Sequence, residues 1–127
     1  MATLLTSASL PQPRPLMVLV AAGLSGALVG CGPDCQSSCE KLYSENECNI
    51  QVPGISRDDL VSECNTTCEN ALEQTGEIRN DYKPNEFTPS DKSLTIQNDR
   101  EAALWMDCVE ENACLKLEEG FCSGIGI

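Results

Sequence analysis

Nine cysteines and not one histidine frame the chemistry open to this 127-residue chain. Without an imidazole, neither a Ser/His/Asp nor a Cys/His relay can be assembled. Paired carboxylates are plentiful, but no spacing marks two of them as flanking a cleft. The cysteines themselves are the informative residues: Cys31, Cys35, Cys39, Cys48, Cys64, Cys68, Cys108, Cys114 and Cys122. Setting Cys31 aside leaves eight, an even set that can pair completely.

Two of the spacings carry geometry. Cys35 and Cys39 lie four residues apart, as do Cys64 and Cys68, and residues at i and i+4 share one helix face. For two antiparallel helices, facing residues have a constant index sum. The pairs 35/68 and 39/64 both sum to 103, which centres the hairpin at 51.5 in Gln51-Val52-Pro53-Gly54, a turn-forming run. The expected disulfides are therefore Cys35–Cys68 and Cys39–Cys64. By the same register Cys48 would face Ile55, so its partner must lie outside the hairpin. Cys48, Cys108, Cys114 and Cys122 allow three pairings. Cys108 and Cys114, six apart, point about 120° away from one another on a straight helix. Cys48–Cys108 with Cys114–Cys122 is the favoured set.

The elements that must hold these sulfurs follow from the surrounding pattern. Asp34 is a fitting N-cap for a helix carrying Cys35, Cys39, Leu42 and Tyr43 on one face, fading at Asn49. Ser56-Arg57-Asp58-Asp59 opens a second helix, with Ile55 and Leu60 placed as a hydrophobic staple, Leu60, Cys64, Cys68, Ala71 and Leu72 as its stripe, and Gly76 as its stop. A polar connection with Pro84 and Pro89 runs to about Gln97, long enough to wrap the surface with Tyr82 and Phe87 tucked in. A third helix is expected from Asn98, with Glu101 in the capping-box place, to about Glu119. Gly120 ends it and Phe121 folds back on Leu117 or Leu115. The fold class is all-α: an antiparallel CxxxC hairpin plus a third helix, a small disulfide-stapled domain over residues 34–127.

Composition narrows the function. Residues 31–127 hold all 20 acidic side chains and every basic one except Arg14, a formal balance of −13. Such a surface repels phosphate backbones, which argues against nucleic-acid binding. Trp105, beside Leu104 on the third helix, reads as a core residue rather than a recognition aromatic. No loop alternates oxygen ligands around a glycine as calcium sites do. Asp58-Asp59 reads as an acidic helix start, and Asn65-Thr66-Thr67 as a chance sequon inside a helix. No cofactor is implied.

The N-terminal residues read as an address. Leu16 to Gly30 is a run of 15 uncharged, largely apolar residues, short of the ~20 that span a bilayer and fitting a signal-peptide core. Leu28-Val29-Gly30-Cys31 resembles the lipobox of bacterial lipoproteins. The resemblance implies removal of residues 1–30, a diacylglyceryl thioether on Cys31 with a further acyl chain such as palmitate on its amine, and a lipidated stem at 31–33. It also implies a cell-envelope address, and Gly32 following the cysteine implies the outer membrane. Export into an oxidising compartment favours disulfides over zinc ligation by the thiolates, so no metal is expected. CxxxC also differs from the CxxC of thioredoxin-like oxidoreductases, and no βαβ pattern accompanies it.

Two further resemblances bear on the mature part. The paired CxxxC hairpin looks like that of the small mitochondrial intermembrane-space chaperones, with a longer gap between motifs, and implies hairpin geometry alone. The chain as a whole is similar to small cysteine-rich lipoproteins of Gram-negative envelopes. The expectation is a lipid-anchored envelope protein, a non-enzymatic binding or structural module held to a membrane through Cys31, with a protein partner. The alternative is a secreted-type effector or inhibitor that presents a loop near Asn80–Thr95.

Overall fold

The computed structural model describes residues 32–89, 92 and 94–126. The lipobox residues Leu28, Val29, Gly30 and Cys31, and the leader before them, lie outside the described residues. Four α-helices and no strand occur among those described: α1 (Cys35–Tyr43), α2 (Arg57–Leu72), α3 (Asp99–Glu111) and α4 (Cys114–Glu118). None is long and apolar enough to cross a membrane.

Helix α1 begins where its cap chemistry dictates. The Asp34 carboxylate accepts the Ser37 N–H at 2.7 Å, and the Asp34 N–H donates to Ser37 Oγ at 3.1 Å, so two otherwise orphaned donors are satisfied reciprocally. The Ser37 N–H holds the Asp34 carboxyl below its ordinary pKa. Helix α1 stops at Tyr43, short of Asn49. Asn49 takes a left-handed conformation (φ 51°), which swings the chain back so that the Ile50 N–H reaches the Leu42 carbonyl at 2.9 Å. Ser56 caps α2 by accepting the Asp59 N–H at 3.2 Å. The staple expected beneath that cap is half formed: Leu60 is buried, while Ile55 stays 37% exposed.

Antiparallel α1 and α2 are bonded through Cys35–Cys68 and Cys39–Cys64, with Cα–Cα distances of 5.7 and 5.8 Å. These four cysteines form the hairpin's inner seam, all buried. Helix α3 packs across both helices. It brings Ala102, Trp105, Met106, Cys108 and Val109 into one core with Leu42, Tyr43, Leu60 and Ala71. Lys41 of α1 donates to the Glu110 carbonyl at 2.8 Å, joining the far end of α3 to the hairpin.

The single third helix expected over 98–119 is in fact two. Asn112 ends α3: its N–H and its side-chain amide both donate to the Cys108 carbonyl, at 3.2 and 2.7 Å, and its backbone is extended. Helix α4 starts afresh at Cys114 and closes in a Schellman turn. Gly120 (φ 103°) donates to the Leu117 carbonyl and Phe121 to the Lys116 carbonyl. The break corrects the remaining disulfides. The favoured Cys48–Cys108 and Cys114–Cys122 do not form; the bonds are Cys48–Cys114 and Cys108–Cys122. On a straight helix the phase between Cys108 and Cys114 is fixed, but the kink at Asn112 releases it. Cys108 stays in the core, where the chain reversed by Gly120 returns Cys122 to it. Cys114 is left at the domain's edge beside Cys48.

Candidate functional site

The polar connection between α2 and α3 is the segment whose role sequence periodicity could not define. It is fastened from three directions. Gly120 to Gly126 is bonded to both limbs of it: Thr88 N–H to the Gly120 carbonyl at 3.3 Å, Cys122 N–H to the Pro84 carbonyl at 2.7 Å, and Ile96 N–H to the Gly124 carbonyl at 2.8 Å. Tyr82 is buried as expected, and its hydroxyl donates to the Ser123 carbonyl at 3.2 Å. Burial, with the Glu101 charge nearby, raises the Tyr82 phenol well above its ordinary value. Trp105 is a core residue, wholly buried, and its indole N–H donates to the Cys122 carbonyl at 3.0 Å. A side chain at Gly124 would have no room, since its Cβ would lie 2.7 Å from Trp105 and 2.9 Å from the Tyr82 hydroxyl.

The third fastening was not visible in the sequence. Glu101 was expected to fold back onto its own helix cap. Asn98 does cap α3, accepting the Glu101 N–H at 3.0 Å. The Glu101 carboxylate, however, turns to the connection. It accepts Arg79 Nε at 2.8 Å, Arg79 Nη2 at 3.0 Å, the Arg79 N–H at 3.0 Å and the Gln97 N–H at 2.9 Å. Arg79 also donates to the Thr95 carbonyl at 2.8 Å and lies 5.8 Å from the Tyr82 ring centroid. Glu101 is 0% exposed. Burial alone pushes its pKa up, but the Arg79 guanidinium and the two backbone donors outweigh that and hold it below the ordinary value. Both oxygens are saturated, so this carboxylate is a structural anion and is poorly suited to donate a proton. The sequence signal was slight, an arginine in a strongly acidic chain, and nothing in the spacing singles out Glu101 among the acids.

Phe87 departs from expectation. It is 59% exposed rather than tucked in, because Tyr82 fills the inward slot and Phe87 lies over the side-chain-free face of Gly120. Its ring centroid is 6.4 Å from that of Phe121, which packs back, partly buried, against the core; Leu117 is buried in that core while Leu115 is exposed. Tyr82, Pro84, Phe87 and Leu94 line a surface groove of about 470 Å³, within the Asn80–Thr95 stretch singled out as a possible contact loop. Among the described residues no three metal-ligating side chains cluster. All eight cysteines from Cys35 to Cys122 are in disulfides. Asn65 lies on α2, partly buried, with its side-chain oxygen unpartnered. No family model, no curated protein and no solved structure matches this chain.

Proposed function

We propose that this chain is a lipid-anchored cell-envelope protein, placed at the outer membrane, whose disulfide-locked helical domain is a non-enzymatic binding or structural module. One observation carries the reading: the eight cysteines of the helical domain pair among themselves, so none is left for Cys31. That odd sulfur directly follows the apolar run of the leader, in the sequence context Leu28-Val29-Gly30. A thioether lipid gives it a use. Each buried acyl methylene contributes ~0.8 kcal/mol, so two or three chains hold a small domain durably.

The non-enzymatic part rests on the residues. No histidine is available for proton relay. The fully buried carboxylate Glu101 is tied up by Arg79 and two N–H groups, whereas an acid catalyst needs a free carboxyl of raised pKa. Four disulfides suit a domain that works outside a reducing cytosol. Mass spectrometry of the native, unreduced protein tests the reading. The expected N-terminal peptide begins at Cys31 and carries diacylglycerol on sulfur, with every other cysteine oxidised. A mature terminus at another residue, or an unmodified Cys31, overturns it.

A further inference from the structure

The four disulfides differ in what they join. Cys35–Cys68 and Cys39–Cys64 lie within the α1–α2 hairpin, and Cys108–Cys122 ties α3 to the C-terminal segment beside it. Besides the main chain, only Cys48–Cys114 links the hairpin covalently to the later half of the domain. It differs in access too. Seven of the eight bonded cysteines are buried, and Cys114 is the one partly exposed, between exposed Ala113 and Leu115. The helix that Cys114 opens is weak. Helix α4 has five residues, no side chain caps its N-terminus at Ala113, and it packs broadly on none of α1, α2 and α3. A helix so short does not persist on backbone hydrogen bonds alone. Its ties are the Cys114 sulfur at one end, and buried Leu117 with the Gly120 turn at the other. Cys48, by contrast, is held independently of the bond. Its N–H donates to the Lys41 carbonyl at 2.9 Å, and Cys39–Cys64 closes the base of its turn.

We propose that Cys48–Cys114 is a redox-sensitive latch: a dithiol cleaves it ahead of the three buried bonds and releases the start of α4, while the rest of the domain stays locked. A thiolate attacks a disulfide in line with the S–S bond, so the accessible sulfur is the one it reaches. Here that is Cys114 Sγ. One thiolate of the dithiol bonds to it, the S–S bond breaks, and Cys48 leaves as a thiolate that takes a proton from water. The second sulfur of the dithiol, its proton given to solvent, then displaces the Cys114 thiolate, which is protonated in turn. The dithiol ends as a cyclic disulfide, two electrons pass to the protein, and Cys48 and Cys114 end as thiols. A single thiol is the poorer reductant, because Cys48, fixed in its turn, sits beside the mixed disulfide and expels it again. Freed of its anchor and lacking a cap, the first turn of α4 frays and Leu117 gains access to solvent. The other three bonds are reached only by opening the core around them. The latch is independent of the proposed thioether on Cys31, which has no S–S bond for a dithiol to exchange.

Brief treatment of the natively oxidised chain with dithiothreitol tests it. Free thiols are trapped with N-ethylmaleimide and located by unreduced peptide mapping in a mass spectrometer. Cys48 and Cys114 are expected to label together, about tenfold or more faster than any of the other six. Another pair labelling first, or all eight thiols appearing together, overturns the proposal. The release itself is read on Cys48→Ala with Cys114→Ala, which removes the bond without adding a bulky group. The Lys116 and Leu117 amides, both bonded to the Ala113 carbonyl in the parent, should exchange hydrogen about tenfold or more faster by NMR, while Trp105 keeps its near-ultraviolet signal. Unchanged exchange in α4 overturns the proposal, because nothing is then released. Loss of the Trp105 signal overturns it as well, because the bond is then a staple of the whole fold. None of these outcomes changes the lipid mass read on Cys31, so the two readings fail separately.

Discussion

Replacing Arg79 with methionine removes the cation that neutralises Glu101 and leaves the chain otherwise intact. The carboxylate is 0% exposed and would keep two of its four donors, the N–H groups of residues 79 and 97. Stranding one member of a fully buried pair costs about 3–5 kcal/mol; here the 27% exposure of Arg79 admits some solvent, so about 2–4 kcal/mol is expected at pH 7. Part of that loss, from the Thr95 carbonyl contact and the Tyr82 ring, does not depend on Glu101. The remainder titrates, and its sign can be worked out. In the parent chain the Glu101 pKa is depressed, so its contribution is present above the ordinary carboxyl value of 4.5 and is lost as pH falls through the lower folded value. In Arg79→Met the guanidinium's lowering influence is gone and the Glu101 pKa rises from its parent value, so the variant gains less from ionising Glu101 as pH rises. The gap between the two proteins should therefore be widest near pH 7 and shrink below about pH 4. Urea unfolding of the oxidised proteins, followed by circular dichroism, measures it: with a slope of about 1–2 kcal/mol per molar, the midpoint should fall by about 1–4 M at pH 7. A gap below about 1 kcal/mol at pH 7, or one unchanged at pH 3, would refute the claim that Arg79 neutralises a buried charge.

Other perturbations probe the staples and the close packing around the C-terminal segment. Removing the outer hairpin bond with Cys35→Ala and Cys68→Ala leaves Cys39–Cys64 in place, so it frees only the short ends beyond that inner bond and on the chain-entropy model should cost roughly 2–3 kcal/mol, read as a lower urea midpoint without reductant. Gly124→Ala drives a methyl against Trp105, Tyr82 and the Ile96 side chain, and should cost about 1–3 kcal/mol with a changed near-ultraviolet Trp105 signal. Asn98→Ala deletes both the α3 cap and the amide donor to the Glu77 carbonyl, so a loss of about 1–2 kcal/mol is expected in the same unfolding assay.

The parts of this fold that were legible in the sequence share a physical property: each is fixed by geometry within one or two helical turns. The i, i+4 spacing of Cys35/Cys39 and Cys64/Cys68 sets their facing, and antiparallel register then leaves one way to pair them. The caps at Asp34, Ser56 and Asn98 are equally local, as is the Gly120 turn. What was illegible depends on a single kink or on tertiary choice. Asn112 is an unremarkable helix residue by propensity, yet its break sends Cys114 to Cys48 and leaves Cys108 for Cys122. Arg79 meets Glu101 across 22 residues, a pairing that no periodicity encodes. Phe87 stays exposed while Tyr82, whose hydroxyl donates to the Ser123 carbonyl, takes the buried place, a choice no local pattern encodes.

Those long-range choices also account for where the covalent bonds fall. The hairpin's own apolar stripe is thin, since four of its buried positions are the bonded cysteines themselves. The connection before α3 contributes only Tyr82, Pro84 and Ile96 as well-buried apolar side chains. A core of this size leaves a small margin over the chain entropy of the domain. The four disulfides add to that margin at different ranges: two close the hairpin, Cys108–Cys122 pins the C-terminal segment beneath the connection, and Cys48–Cys114 joins the hairpin's turn end to α4 across a separation of 66. A domain held in this way can leave Phe87 at the surface without loosening the frame beneath it, because that frame does not depend on burying the ring.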